Sequence, residues 1–168
     1  MKHLKLYENF DQSFDEWFGD SKVVQDGEPL ICYHGTRSGG FKEFKPSKSV
    51  GNQGETDQIE GMYFTDNEDG ASWYSLSDDP KYLMPVYLSI ENPYIVKDHK
   101  TLKEDLGIKT YSEANATLRK LGYDGIIMEN GFYSNGGPYK LFMTFEPNQI
   151  KSVDNDGSWD ANDNDIYS

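Results

Sequence analysis

A chain of 168 residues with a net charge of −13 is the length of one domain able to bury a core without staples. Its 29 acidic side chains against 16 basic ones set it against nucleic-acid phosphates and anionic membranes, unless a local basic patch intervenes. A single cysteine, Cys32, excludes an intrachain disulfide and a thiolate metal site, which fits a reducing cytoplasm.

In chain order, Phe10, Phe14, Trp17 and Phe18 recur at helical spacing and predict an amphipathic helix over about residues 9–18, stopped at Gly19. With the lead-in that follows, this forms an N-terminal part over residues 1–28. Leu30 to Tyr33 reads as a strand that breaks at Gly35. Residues 37–60 hold few structure signals, with Phe41 and Phe44 as anchors, and read as a long loop. Met62 to Phe64 is a second strand, after which Asp66 or Asn67 caps a short helix through Ala71, Trp73 and Tyr74. Met84 to Ile90 is a third strand, turned at Asn92-Pro93.

Residues 111–121 read as a helix with Ala114, Leu118 and Leu121 on one face. Tyr123 to Met128 and Leu141 to Phe145 are further strands, separated by a glycine-rich loop over 130–138. The stretch 153–168 is an acidic tail, with Trp159 and Ile166 as its means of docking on the body. Strands outnumber helices and no internal repeat is present, so the expected fold class is α+β, as one domain over 1–168. Neither a signal peptide nor an apolar run long enough to span a membrane is found, and the expected state is a monomer in the cytoplasm.

Several short motifs stand in order along the chain: Tyr33-His34-Gly35-Thr36, Gly61-Met62-Tyr63-Phe64-Thr65-Asp66, Tyr123-Asp124-Gly125-Ile126-Ile127, Phe145-Glu146-Pro147-Asn148-Gln149-Ile150-Lys151-Ser152 and Asp156-Gly157-Ser158-Trp159-Asp160. Each is weak alone. Together, from about residue 10 onward, they resemble phage-encoded ADP-ribosyltransferase-like domains, of the branch that includes diphtheria toxin and the poly-ADP-ribose polymerases. The resemblance implies a split β-sandwich with a few short helices and an NAD cleft between its halves. It also implies transfer of ADP-ribose from NAD to a host macromolecule, with a host protein favoured as target. A nucleic-acid acceptor is disfavoured by the charge, and no metal is implied.

The resembled branch places a His, a Tyr and usually a Glu on separate strands. By that resemblance His34 bonds a ribose hydroxyl, and the backbone at Gly35 and Thr36 bonds the nicotinamide amide. Arg37 meets the pyrophosphate as a planar donor fork. Tyr63 stacks on nicotinamide, Tyr74 closes the sandwich from the following helix, and Ser72 serves the amide. Plain readings stand beside these: a strand-end His bonded to its own loop, and aromatics that simply fill the core. The family often carries a Glu eight positions ahead of the Gln in its Pro-x-Gln-Ile motif. Counted back from Gln149, that position is Leu141, which cannot bond a hydroxyl or balance a developing cation. Glu129 at a neighbouring strand end is one substitute, although it also reads as a solvated residue, and Glu146 is a weaker one. Two further readings stay open: a partner supplies the carboxylate, or transfer has been lost. Loss of transfer would leave a module that inhibits a host or defence protein through its acidic surface. His3 and His99 carry little signal, the latter lying among Lys and Asp.

Overall fold

The computed structural model describes residues 12–47, 58–132 and 137–168. Phe10 and the middles of the two long loops lie outside the described residues. The fold is α+β. Residues 12–18 form helix α1. A two-residue hairpin follows, β1 (Val24–Gln25) and β2 (Glu28–Pro29). Next come β3 (Cys32–Gly35), β4 (Met62–Thr65), α2 (Glu68–Ser72), β5 (Leu83–Leu88) and β6 (Pro93–Val96). The remainder is α3 (His99–Leu106), α4 (Ala114–Lys120), β7 (Gly125–Phe132), β8 (Tyr139–Thr144) and β9 (Ile150–Ser152).

Seven strands make one mixed sheet in the order β6-β7-β8-β4-β3-β5-β9. Only β6 and β7 run parallel; the other pairs are antiparallel. The sheet is narrow at its middle. β4 and β8 share four pairs of residues, and so do β3 and β5, but β3 and β4 share only Tyr33↔Thr65. Two half-sheets therefore meet at a single ladder pair, which is the split that a cleft requires.

Period-two alternation sorts the apolar residues into two cores, one on each face. Phe64, Val86, Leu88, Ile127 and Phe142 share one face with Val23, Phe44 and Ile166, joining both halves. On the other face, Ile126, Met128, Leu141 and Met143 meet Leu102 of α3 and Ala114 and Leu118 of α4. A third cluster sets Trp17 and Phe18 of α1 against Trp159 of the tail. The tail is therefore docked, through Trp159 and Ile166, which are 3% and 0% exposed.

Helix ends follow local chemistry. The side chain of Asn67 accepts from Gly70 N at 2.7 Å and starts α2; Asp98 accepts from Thr101 N at 2.8 Å and starts α3. Gly107, at φ 61°, ends α3 in the left-handed region that favours glycine. The C-terminal motif is a bracket. Gln149 donates to Ser89 O and Asp124 O, both at 2.9 Å, and accepts from the N–H groups of Phe145 and Glu146. One side chain thereby ties the ends of β5, β7 and β8. Lys151, fully buried, donates to the carbonyls of Asp163 and Asp165 and holds the tail down.

Three expectations are corrected in detail. Asn92-Pro93 does not only turn the chain, because Pro93 opens β6. α3 fills a stretch for which no element was expected. The expected helix over 111–121 begins as a 3-10 turn at Tyr111–Glu113. β7 runs on to Phe132, into the stretch read as a glycine-rich loop.

Candidate active site

The gap between β3 and β4 opens into a cavity of about 500 Å³, within the range of small-molecule sites. The registers place Val96, Met128, Leu141, Thr65 and Tyr33 in one row across the sheet. Three members of that row, Leu141, Thr65 and Tyr33, line the cavity together with Tyr63, His34 and Gly35. α2 and the residue pair after it contribute Ala71 and Tyr74, and the start of α3 and the 3-10 turn contribute His99 and Tyr111.

His34 is the best-defined polar group there. Its ring lies edge-on to Phe44 at 5.0 Å and against Phe64 at 5.6 Å. Its Nδ1 is 2.7 Å from the carbonyl oxygen of Tyr63. A carbonyl only accepts, so Nδ1 carries the proton and the neutral ring keeps Nε2 as an acceptor. Burial lowers the pKa of this imidazole, which outweighs the opposing pull of the Tyr63 carbonyl. The ring is therefore neutral at pH 7, with one nitrogen fixed as acceptor.

The backbone at Gly35 faces the same gap. Thr36 N donates to Tyr82 O at 2.8 Å, so the N–H of Thr36 points toward β5. Alternation along an extended strand turns the main-chain groups of Gly35 the opposite way, toward β4. There the ladder has already stopped at Tyr33↔Thr65. Glycine is also required sterically, since a Cβ at Gly35 would stand 2.0 Å from Ala71 O and 3.0 Å from the Tyr74 Cβ. Only glycine lets the end of α2 and Tyr74 close down on β3.

Tyr63 is half-buried, and its hydroxyl donates to Ile59 O. Burial raises its pKa well above the usual tyrosine range, so the phenol stays neutral. Tyr74 is 52% exposed at the cavity rim. Tyr33 also lines the wall, and burial raises its pKa, followed by the charge of Glu68.

Other residues singled out in the sequence stand elsewhere. Thr36 has its N–H on Tyr82 and its carbonyl on Leu76 N, and its hydroxyl accepts from Ser38 N. Arg37 is exposed beyond the strand end and is not part of the lining. The Ser72 hydroxyl turns back to donate to Asp69 O at 2.7 Å. Glu129 is exposed, lies 3.9 Å from Lys140 Nζ, and does not line the cavity. Glu146 bonds Arg119 at 2.5 Å and serves the bracket around Gln149.

Leu141 does stand in the wall, 1% exposed. A Cβ at Gly131 would come within 2.5 Å of the Leu141 Cβ, so this corner is tightly filled. Among the described lining residues there is no Asp or Glu. Tyr33, which opens the Tyr33-His34-Gly35-Thr36 motif, lines the wall as well. His99 and Tyr111 also line it, and nothing local in the sequence marks either.

Cys32 is fully buried and its thiol is pushed well up by that burial, which leaves it inert as a nucleophile. No group of His, Cys, Asp or Glu able to hold a metal ion occurs among the described residues. None of the helices there is long and apolar enough to cross a membrane.

A family model described as the ADP-ribosyltransferase in polyvalent proteins matches residues 25–160. That span covers most of the chain, every strand of the seven-stranded sheet and all the cavity residues named above. The chain belongs to this family. No curated protein matches it.

Proposed function

We propose that this member of the ADP-ribosyltransferase family is a mono-ADP-ribosyltransferase of phage origin. It uses NAD as substrate in the β3–β4 cavity and modifies a host macromolecule, in the first place a protein, in the bacterial cytoplasm. The observation that carries this reading is the imidazole of His34, held by the Tyr63 carbonyl with Nε2 left as an acceptor beside the turned-in backbone of Gly35.

In this reading Nε2 of His34 accepts from a ribose hydroxyl, and the main chain of Gly35 pairs with the nicotinamide carboxamide. Tyr63 and Tyr74 offer aromatic faces to a planar cationic ring. The bond between ribose C1′ and the pyridinium nitrogen breaks, and its electron pair leaves with nicotinamide. Positive charge passes to the ribose ring, and a nucleophilic atom of the acceptor bonds to C1′ while losing a proton. Groups fixed before the reaction lower the barrier because they need no rearrangement as charge develops.

The test is incubation of wild type and His34→Ala with labelled NAD and a bacterial lysate, reading label on protein and nucleic acid separately. The expected result is a protein-bound label that disappears with His34→Ala. Equal labelling by both would overturn the assignment of His34.

Leu141 favours a second reading, a binding module that has lost transfer and inhibits a host or defence protein through its acidic surface. No label, with NAD left intact, would move the assignment to that reading. Reversing tail aspartates would then weaken the complex more at low salt than at high salt.

A further inference from the structure

We infer that His99 takes the proton released by the acceptor as its bond to ribose C1′ forms, an inference that rests on the NAD reading above. Leu141 leaves the cavity wall without a carboxylate, and the fold brings a different proton acceptor to the same cavity. Val96 ends β6 in the row that continues through Met128 to Leu141. Asn130 N donates to Lys97 O at 2.8 Å, which pins the next residue of that chain against β7. Asp98 caps α3, and His99 is its first residue. His99 and Leu141 therefore approach the cavity from the same end of the β6-β7-β8 half-sheet, and both line it.

The surroundings suit a base. The ring is half-buried and lies edge-on to Tyr111 at 5.8 Å. Lys103 stands 4.8 Å over the Tyr111 ring, so its charge is directed at that ring. Asp98 is the charged group that acts on His99; it favours the imidazolium, but burial outweighs it and lowers the pKa. The imidazole is thus neutral at pH 7, able to accept a proton and return it to solvent. His34 cannot do this work in the same turnover, because its Nδ1 is committed to Tyr63 and its Nε2 to the ribose.

The proton balance is complete. The acceptor's O–H or N–H bond breaks, its lone pair forms the bond to C1′, and a ring nitrogen of His99 receives the proton. Nicotinamide leaves with the electrons of the bond it breaks, so no oxidant or metal is consumed.

The test compares wild type, His34→Ala, His99→Ala and His99→Gln in label transfer from NAD to lysate protein, together with NAD binding by calorimetry. Added imidazole is the third measurement, since it can occupy the space left in His99→Ala. The expected result is NAD affinity within about threefold of wild type but transfer slowed by roughly 100-fold, the scale of a lost general base. Imidazole restores part of the rate to His99→Ala and none to His34→Ala. Wild-type transfer by His99→Ala while His34→Ala is dead would overturn this inference and leave the NAD reading standing. Loss of NAD binding in His99→Ala without imidazole rescue would also overturn it, in favour of a structural role. No transfer by wild type would overturn both.

Discussion

At the β5–β9 edge the polar groups are closed on one another. Gln149 spends both its amide donor and its oxygen on four main-chain partners, and buried Lys151 is held by two carbonyls. Between β3 and β4 the opposite holds. The ladder stops after one pair, Gly35 turns its main chain into the gap, and His34 keeps one nitrogen as an acceptor. The first region has exchanged water for protein partners and stabilises the fold. The second keeps hydrogen-bonding capacity in reserve beside a cavity, which costs stability and is characteristic of a ligand site. Both regions carry family motifs, so a motif by itself does not say whether a residue binds substrate or holds the sheet together.

Substitutions that separate folding from chemistry break this comparison open. The largest effect is expected from Trp159→Ala, which empties the space beside Trp17 and Phe14, whose rings lie 5.8 and 4.9 Å away. A loss of about 4 kcal/mol is expected, read as a fall of roughly 8–16 °C in the thermal midpoint. Gln149→Ala follows at about 3 kcal/mol, because its main-chain partners lose their bonds inside the fold. Denaturant titration measures it, and transfer by the folded fraction should be unchanged. If either variant lost transfer while fully folded, the division between the two regions would fail.

Acidification probes the other region. Burial lowers the pKa of both His34 and His99, against the Tyr63 carbonyl in one case and Asp98 in the other. Both rings are neutral at pH 7 and gain a proton only below the ordinary histidine range. The rate of nicotinamide release should therefore hold near neutrality and then fall on the acid side, by roughly tenfold per pH unit for each ring that must stay neutral. The same sign applies to stability: the unfolded chain binds protons first, so stability is full above the ordinary histidine range and declines as pH drops through the lowered values. The smallest effect is expected from Glu129→Gln. Its carboxylate meets Lys140 in solvent and does not line the cavity, so nicotinamide release should stay within about twofold. A large loss would bring Glu129 back as the missing carboxylate.

The sequence made some of this legible and hid the rest for physical reasons. The aromatic spacing of α1, the Asn67 cap and the apolar runs of β4, β5, β7 and β8 are local signals, and they fold as read apart from shifts at their ends. β6 opens on Pro93 and β9 is three residues long, so only their sheet partners make them strands. α3 buries Leu102 alone, too narrow an apolar face to stand out in a run of charges. His34, Gly35 and Tyr63 were legible because adjacent residues build that wall. His99 was not, because the parallel β6–β7 pairing that carries it to the cavity leaves no mark near residue 99. Leu141, reached by counting back from Gln149, does stand in the cavity wall, although which group does the work of a carboxylate there is a tertiary matter.

The central claim is that the gap between β3 and β4 holds NAD through His34. Calorimetric titration of NAD into wild type and His34→Ala at pH 7.5, with thermal melts of both as a check on folding, tests it most directly. Saturable one-to-one binding by wild type, weakened by about tenfold or more in an equally stable His34→Ala, is the predicted result. Equal affinity in the two proteins, or no binding to wild type, would contradict it.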